Sequence, residues 1–467
     1  MNDKMLIDGQ LVDGASTLDV INPATGRAFA TVARADEAQL EQAVAAAKAA
    51  APAWAALSYE ERGALLTKLA DALDAEKDAI AHLLTTEQGK PLRQATGEVI
   101  GGIYQLRHYA AQRSEPKVLK ENAKVRIIEH RTPLGVVAAI TPWNFPFMML
   151  TQKIGPALIT GNTVVAKPAP TTPMTTLKLA EIAAGILPAG VLNVIVDAND
   201  LGGKLTNHPD VAKVSFTGST ATGRKVMAAG ADSLKRITLE LGGNDAAIVL
   251  DDMDPKEVAP KLFNGAMVNA GQVCLAIKRV YAPSSMYDEL CTELARLAEE
   301  ATVDDGTSQG VQVGPVQNRM QFEKLLGFLA DAEENGTVIA GGKPLDRDGY
   351  FIAPTIVRDI PDDARLVREE QFGPVLPVLR YDDLDDALAR ANDSDYGLGG
   401  TIWTKDIQRG IDVAMKIDSG TVWVNKHLDL PFDIPFGGTK QSGIGREGGD
   451  DGLEAFTQPH VINVALV

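Results

Sequence analysis

The chain has 467 residues, 45% of them hydrophobic, and its 45 Lys and Arg residues are outnumbered by 62 Asp and Glu residues, so the formal net charge is -17. This much apolar material is enough for two or three domains, whereas the acidic charge argues against nucleic acid or an anionic membrane as a partner. No apolar stretch approaches the roughly 18 residues of a membrane span, and the two cysteines lack the spacing of a zinc site or a disulfide framework. We therefore expect a cytoplasmic protein with no membrane segment and no metal.

Two helices are predicted before residue 90. Asp36 can cap the first, with Gln39 three residues later to complete a capping box, and an alanine-rich run continues to position 50. Apolar residues then recur at helical spacing from position 59 until a glycine and a proline, at 89 and 91, end the pattern. One continuous helix is therefore expected over residues 59–89.

From position 125 onward, short apolar strands alternate with helices. The first round contains the strands VRIIEH, GVVAAI, NTVVAK, VLNVIV and VAKVSF, and after position 243 a second round contains AAIVL, KRVYAP, TIV, VLPVLRY and GTVWVN. This alternation is typical of parallel sheets with right-handed crossovers, and it predicts two α/β lobes joined near residues 240–244. The final segment HVINVALV favours a strand whose apolar edge should pair with another strand or another subunit.

The segment NAGQVC, residues 269–274, is the strongest local signal of chemistry. Cysteine supplies a good nucleophile near neutral pH, although a single cysteine is more often a small buried apolar residue. Cys291 fits that second description because it shares an apolar helical face with Leu290 and Leu294. Cys274 follows a Gly-Gln pair in a predicted loop, so it is the candidate nucleophile.

Three further segments carry weaker signals. FTGSTATG follows a strand and opens a helix, so its backbone amides could bind a phosphate. Its glycines do not match GxGxxG, however, and a segment of this kind is more often an ordinary N-capped loop than a phosphate site. In TPWNFP, Asn144 could donate to an oxyanion or equally satisfy the turn backbone. Glu240 and Glu370 lie beside apolar residues, but most glutamates simply face water.

Together these segments carry a family resemblance. TPWNFP, AKPAP, FTGSTATG, LELGGN, NAGQVC, EEQFGP and PFGGTKQSGIGREGG occur in an order and spacing that resembles the aldehyde dehydrogenase superfamily, over nearly the whole chain. The resemblance implies an α/β fold of two parallel α/β domains with a β-hairpin oligomerisation arm. It assigns residues 1–114 and 134–241 to an NAD(P)-binding domain, 242–456 to a catalytic domain, and 115–133 with 457–467 to the arm of a homodimer or homotetramer.

The resemblance also implies roles for the catalytic residues. Cys274 would attack the aldehyde to form a thiohemiacetal, whose oxyanion would be held by the Asn144 side chain and the Cys274 N–H. Glu240 would activate the water that hydrolyses the resulting thioester. Lys153 resembles a lysine that is assigned to proton relay in relatives.

The cofactor residues follow from the same resemblance. Lys167 would contact the adenosine ribose, Gly218 and Ser219 the pyrophosphate, and Glu370 with Phe372 the nicotinamide end, while Thr141 and Trp143 would also line the cofactor site. Pro170 stands where NAD-specific relatives carry a glutamate. Because a carboxylate there would repel a 2′-phosphate, and no arginine replaces it, we expect NAD to be used and NADP to be accepted.

The substrate pocket is expected to include Phe147, Gln152, Leu275 and His427. Neighbouring Met148, Met149 and Leu428 indicate a largely apolar tunnel for a medium-length aliphatic or aromatic aldehyde. The sequence does not exclude a semialdehyde as the substrate. One alternative is a CoA-acylating semialdehyde dehydrogenase, although such enzymes generally lack a glutamate at the position of Glu240. The others are a non-catalytic protein on the same fold and a cysteine hydrolase, which would need a histidine base.

Overall fold

The computed structural model describes residues 3–466. Met1 and Asn2 of the predicted first domain, and Val467 of the predicted terminal strand, lie outside the described residues. The described chain forms two large sheets flanked by helices, a three-stranded sheet and two two-stranded sheets. None of the described helices combines the length and apolar composition needed to cross a bilayer.

The helices, in chain order, have the following bounds: α1 (Glu37–Ala56), α2 (Tyr59–Ala75), α3 (Lys77–Gln88), α4 (Leu92–Ala110), α5 (Pro146–Ile159), α6 (Met174–Ala184), α7 (Gly202–Asn207), α8 (Thr220–Ala231), α9 (Pro255–Met267), α10 (Tyr287–Glu300), α11 (Arg319–Asn335), α12 (Arg365–Arg368), α13 (Leu384–Asn392), α14 (Ile407–Ala414) and α15 (Gly449–Glu454).

The strands have the following bounds: β1 (Met5–Ile7), β2 (Gln10–Val12), β3 (Ser16–Asn22), β4 (Arg27–Arg34), β5 (Lys117–Glu121), β6 (Val125–Pro133), β7 (Val136–Ile140), β8 (Thr163–Lys167), β9 (Leu192–Val194), β10 (Val211–Thr217), β11 (Arg236–Glu240), β12 (Ala246–Val249), β13 (Arg279–Pro283), β14 (Thr337–Ala340), β15 (Thr355–Arg358), β16 (Val375–Tyr381), β17 (Tyr396–Gly397), β18 (Gly399–Trp403), β19 (Thr421–Val424), β20 (Thr439–Lys440), β21 (Gly443–Ile444) and β22 (Thr457–Ala465).

The first large sheet brings the ends of its parallel strands to one edge. Its order is β2-β1-β9-β8-β7-β10-β11-β21, and the strands from β9 to β11 run parallel. The chain passes from β7 through β8 to β9 and then returns to β10 on the other side of β7, so the winding reverses between β7 and β10. Ligands of open α/β sheets bind at such a reversal, beyond the carboxyl ends of the strands. Thr141 and Gly218 follow these two strands there.

The second large sheet has the order β14-β15-β16-β13-β12-β18-β19 and is parallel except at β14. The chain connects the two sheets twice. It passes from β11 directly to β12, and later β21 comes back to pair antiparallel with β11. β21 therefore belongs to the first sheet, although its residues fall in the range predicted for the catalytic domain.

The terminal strand pairs within its own chain. β22 runs antiparallel to β6, from Thr457 opposite Pro133 to Ala465 opposite Val125, and β5 covers the other edge of β6. Apolar side chains of β22 remain exposed, among them Val461 at 53%. The pairing accounts for one edge of β22 and leaves the other edge open.

The structure departs from the predicted helices in two places. Glu76 interrupts the helix expected over residues 59–89, where its N–H donates to the carbonyls of Leu73 and Asp74. No glycine or proline marks this break, so the apolar periodicity could not reveal it. Asp36 caps α1 as predicted, but the Gln39 amide donates to the carbonyl of Asp13, so the reciprocal bond of a capping box is not made.

A glycine allows α4 and α5 to pack closely. Gly102 is buried in α4, and a Cβ added there would lie 2.8 Å from the ring of Phe147 and 2.9 Å from Thr151 Oγ1, both on α5. Unstrained Cβ atoms do not approach other heavy atoms so closely. The distance between these two helices therefore depends on the missing side chain.

The substitution Gly102→Ala should lower the midpoint of thermal unfolding, because overpacking of a buried contact costs about 1–3 kcal/mol. Gly97→Ala is the matched control in the same helix, since Gly97 is exposed and a Cβ there would meet nothing within 4 Å. It should stabilise the protein by up to about 1 kcal/mol through helix propensity. Equal midpoints for the two variants in scanning calorimetry would contradict the packing argument.

Candidate active site

A cavity of about 1410 Å³ lies where the winding of the first sheet reverses, and residues of both lobes line it. Thirteen of the fifteen predicted site residues are among its lining residues. They are Thr141, Trp143, Asn144, Gln152, Lys167, Pro170, Gly218, Ser219, Glu240, Cys274, Leu275, Glu370 and Phe372.

Phe147 and His427 do not line the cavity, which corrects two of the predicted pocket residues. Phe147 is fully buried on the face of α5 that packs against α4, one position from Met148, which does line the cavity. The ring of His427 lies behind the wall, where Nε2 is 2.7 Å from the carbonyl oxygen of Leu275. Burial lowers the pKa of His427 to about 4, so its ring is neutral and supports Leu275 from behind.

The loop before Cys274 has an unusual backbone conformation. Asn269, Ala270 and Gly271 have φ values of 52°, 54° and 71°, in the left-handed region. That region costs a residue with a Cβ roughly 1–2 kcal/mol. A Cβ at Gly271 would also lie 2.3 Å from the carbonyl oxygen of Gly373, so a glycine is required there on both grounds.

Buried polar contacts hold this strained loop. The Lys278 ammonium donates to the carbonyls of Val273, at 2.9 Å, and Cys274, at 2.6 Å. The Gln272 side-chain oxygen accepts from the backbone N–H of Gln317 at 2.8 Å. Lys278 was missed at the sequence level, and the available signal was a lone charge in the otherwise apolar segment CLAIK.

The Cys274 thiol is half-buried, and its environment keeps it protonated. Burial raises its pKa to about 12, Lys278 opposes that shift, and the carboxylate of Glu370 adds to it. Within residues 3–466, no acceptor is recorded for the Cys274 backbone N–H. Cys291, by contrast, is fully buried in an apolar cluster with Leu290 and Leu294, which agrees with its predicted structural role.

Asn144 connects its own turn to the cysteine loop. Its Nδ2 donates to the carbonyl of Gln272 at 2.9 Å. Because an amide nitrogen carries two hydrogens, one remains for a ligand in the cavity. The Asn144 carbonyl accepts from the Lys90 ammonium at 2.7 Å and from Asn269 Nδ2 at 3.1 Å.

Glu240 ends β11 and is 4% exposed. Among the described residues, neither of its carboxyl oxygens has a hydrogen-bond partner. Burial, followed by the negative charge of Glu447, raises the pKa of Glu240 well above its ordinary value. Behind it, the Lys153 ammonium lies 2.7 Å from Glu447 Oε1 and donates to Thr217 Oγ1 at 2.8 Å. Glu447 was not singled out from the sequence, although it lies in the PFGGTKQSGIGREGG motif.

The cofactor half of the cavity offers groups that suit a dinucleotide. Ser219 caps α8 through a bond from the Thr222 N–H, and the positive end of that helix faces the cavity beside Gly218. Thr141 Oγ1 is a buried hydroxyl on the wall with no partner in the described chain. Polar atoms of this kind, next to a helix N-terminus, fit the phosphates and hydroxyls of NAD(P).

Three contacts fix the remaining cofactor residues. The buried ammonium of Lys167 lies 2.6 Å from Asp197 Oδ1, so its charge is already neutralised. The rings of Trp143 and Phe372 meet edge to face, with centroids 5.3 Å apart. Glu370 accepts the backbone N–H of Gly243 at 2.9 Å, and burial raises its pKa.

Cys274 should react slowly with iodoacetamide near neutral pH, and its rate should rise about tenfold per pH unit because the thiolate is the reactive form. Mass spectrometry after timed alkylation measures the rate, and the Cys274→Ala variant should remain unlabelled. Cys291 serves as the internal control, since it is inaccessible in the folded protein. A rate independent of pH, or earlier labelling of Cys291, would contradict the assignment of the accessible thiol.

Comparisons with known proteins agree with this geometry. The sequence profile of the Aldehyde dehydrogenase family matches residues 11–462. The chain is 40% identical to a phenylacetaldehyde dehydrogenase from Pseudomonas fluorescens, covering 99% of this chain and 96% of the relative. It is 38% identical to a succinate-semialdehyde dehydrogenase [NADP(+)] from Escherichia coli (strain K12), covering 99% of this chain and 97% of the relative. The solved NAD+ complex of an aldehyde dehydrogenase from Bacillus cereus superposes with a TM-score of 0.97 at 36% identity, covering 100% of this chain and 97% of the other. The predicted resemblance and fold class are thus confirmed, and the chain belongs to the aldehyde dehydrogenase family.

Proposed function

We propose that this NAD(P)-dependent aldehyde dehydrogenase releases its product as a free carboxylic acid, by hydrolysis of a thioester on Cys274. The observation that carries the proposal is Glu240, a buried carboxyl group on the wall of the same cavity as the thiol, whose two oxygens have no hydrogen-bond partner within residues 3–466. A buried carboxyl with a raised pKa is matched to general-base work near neutral pH. Transfer of the acyl group to CoA would have no use for such a residue.

In the first step the Cys274 thiol loses its proton to water in the cavity. The thiolate sulfur then bonds to the aldehyde carbon, and the carbonyl electrons move to the aldehyde oxygen. In the described part of the chain, the free hydrogen of the Asn144 amide and the unpaired N–H of Cys274 are donors available to that oxyanion. Loss of one such donor typically lowers the rate about 100- to 1000-fold. The oxyanion then re-forms its carbonyl as the same carbon loses a hydride, for which bound NAD+ or NADP+ supplies the acceptor, and a thioester on Cys274 results.

The second step breaks the thioester. Glu240 takes a proton from a water molecule, whose oxygen attacks the acyl carbon, and Cys274 leaves as the thiolate. Lys153 and Glu447 form a buried, hydrogen-bonded pair near Glu240, and Glu447 also lines the cavity, so the charge on Glu240 interacts with two further ionisable groups.

The wall composition favours a neutral, apolar aldehyde. Apolar side chains of α5 and of residues 428–436, such as Met148, Met149 and Phe432, form an apolar part of the cavity wall. The Lys and Arg residues that line the described cavity are on β8, α8 and α11, namely Lys167, Lys225, Arg319 and Lys324. No cation on the apolar part could pair with the distal carboxylate of a semialdehyde, so we propose an aliphatic or arylalkyl substrate.

Two features bear on the choice between NAD and NADP. Pro170 places no negative charge against a 2′-phosphate, which makes NADP acceptable. The Lys167 ammonium is neutralised by Asp197, so it contributes little attraction to that phosphate. We therefore propose that NAD is preferred and NADP is tolerated.

The three-stranded sheet is the surface we propose for self-association. β22 presents exposed Val461, Ile462 and Val464 beside its open edge. An open apolar strand edge favours pairing with another chain. A homodimer or homotetramer built through this sheet follows from that argument.

The substrate proposal is tested by following reduced nicotinamide with hexanal, phenylacetaldehyde and succinate semialdehyde, with NAD and NADP in parallel. The two neutral aldehydes should be oxidised with the higher specificity constants. Succinate semialdehyde should be worse by at least about 100-fold, because burying an unpaired carboxylate costs about 3 kcal/mol or more. Cys274→Ala should abolish turnover. Equal use of all three aldehydes would contradict the proposed pocket, and absence of any turnover would contradict the proposed reaction.

Glu240→Gln should separate oxidation from hydrolysis. We expect a rapid burst of about one reduced cofactor per active site, followed by a steady state slower by roughly 100- to 10,000-fold. In the native enzyme, kcat should rise with pH, because Glu240 works only when deprotonated and its raised pKa shifts that transition upward. The variant should lose this rise. Glu257→Gln, at an exposed position of α9, should behave like the native enzyme, and a variant at Glu240 without a burst or with native turnover would refute the assigned role.

A further inference from the structure

A buried ion pair lies directly beneath the Asn144 turn. Lys90 follows α3 and Glu98 is in α4, and their side chains are 0% and 1% exposed. Lys90 Nζ is 2.5 Å from Glu98 Oε2 and also donates to the Asn144 carbonyl at 2.7 Å. The same ammonium lies 3.8 Å from the centre of the Phe145 ring.

The other carboxyl oxygen of Glu98 caps the helix that follows the turn. Glu98 Oε1 accepts the backbone N–H groups of Phe147, at 3.0 Å, and Met148, at 3.2 Å, in the first turn of α5. These N–H groups have no partner within the helix, and a carboxylate interacts favourably with this end of the helix dipole. The pair therefore holds both the Asn144 carbonyl and the start of the helix that follows it.

Stability alone does not explain such a pair. Removing two charges from water costs several kcal/mol for each ion, and apolar replacements of a buried pair are often neutral or stabilising. Asn144, however, must hold one amide hydrogen on the Gln272 carbonyl and aim the other at the reacting oxygen. A misplacement of about 1 Å at a reacting centre can lower the rate about 100-fold.

We propose that Lys90 and Glu98 are positioning residues for the oxyanion site. They fix the backbone of Asn144, and thereby the direction of its free amide hydrogen relative to Cys274. This inference rests on the proposed role of Asn144. Neither side chain of the pair is among the lining residues of the cavity, so both act through Asn144 and not on the substrate.

The test compares the double variant Lys90→Met with Glu98→Gln, the variant Asn144→Ala, and their combination. The double variant removes both charges at similar volume, and glutamine can still accept the N–H groups of α5, so we expect a thermal midpoint close to native. The acylation rate with p-nitrophenyl acetate, which needs no cofactor, and kcat with hexanal should each fall about 10- to 100-fold. KM and the NAD dissociation constant, measured by fluorescence quenching, should change less than about twofold.

The decisive result is non-additivity. On the Asn144→Ala background, removing the pair should cost no further rate, because the residue through which it acts is already absent. An additive loss, a parallel loss of NAD affinity, or native rates in the double variant would overturn the proposal. If Asn144→Ala alone kept native rates, the oxyanion role in the proposed function would fail instead, which is a distinguishable outcome.

A matched control is available in α3. Glu87 is fully buried and caps α6 by accepting the N–H groups of Met174 and Thr175. Glu87→Gln therefore changes a buried helix-capping carboxylate in the same way, but without a contact to Asn144. The Glu87→Gln variant should keep the native acylation rate. A fall in that rate equal to the fall in the Lys90 and Glu98 double variant would contradict the proposal, because loss of any buried helix-capping carboxylate would then slow acylation.

Discussion

The strained backbone of residues 269–271 is the constraint on which the site depends. Two residues with side chains and one glycine are held in the left-handed region immediately before the nucleophile. Such a conformation persists only where surrounding contacts determine it. Here the contacts are buried hydrogen bonds to Lys278, Gln317 and the Asn144 turn. Because Gln317 and the Asn144 turn come from distant parts of the chain, the nucleophile has its geometry only in the complete fold.

The pKa values of three acidic groups in the cavity are all shifted in the same direction, upward. Burial raises the pKa of the Cys274 thiol and of Glu240 and Glu370, which means that the site disfavours negative charge on each of them. A buried, low-dielectric site strengthens every interaction with a charge that develops during reaction. The positive nicotinamide ring of an oxidised cofactor would favour the thiolate, so cofactor binding and thiol ionisation should be coupled.

The sequence predicted those features that depend on short contiguous segments. The strands around the two sheets, the cap at Asp36 and the apolar setting of Cys291 all follow from local pattern. The first sheet also draws in β21 from far along the chain, which no local pattern reveals. Phe147 was predicted to line the substrate pocket, but it packs against α4. Helical spacing alone does not show whether a helix face contacts the cavity or another helix.

The supporting residues of the site were harder to predict for a physical reason. Lys90 and Lys278 are buried lysines, and a lysine in a sequence is by far most often exposed. Lys90 is explained by Glu98 and by the Asn144 carbonyl, which another segment brings within reach, whereas Lys278 donates to two carbonyls of the irregular loop just before it. Neither kind of contact produces a periodic pattern in the sequence.

The return of β21 to the first sheet has a consequence for how the molecule can be divided. A fragment ending at residue 241 would retain β11 but lose the strand that covers its outer edge. Such a fragment would present unpaired backbone groups along that edge, and edges of this kind recruit strands from other molecules. The two lobes are therefore not independent building blocks, and domain exchange with a relative would have to carry the segment around β21 together with the first lobe.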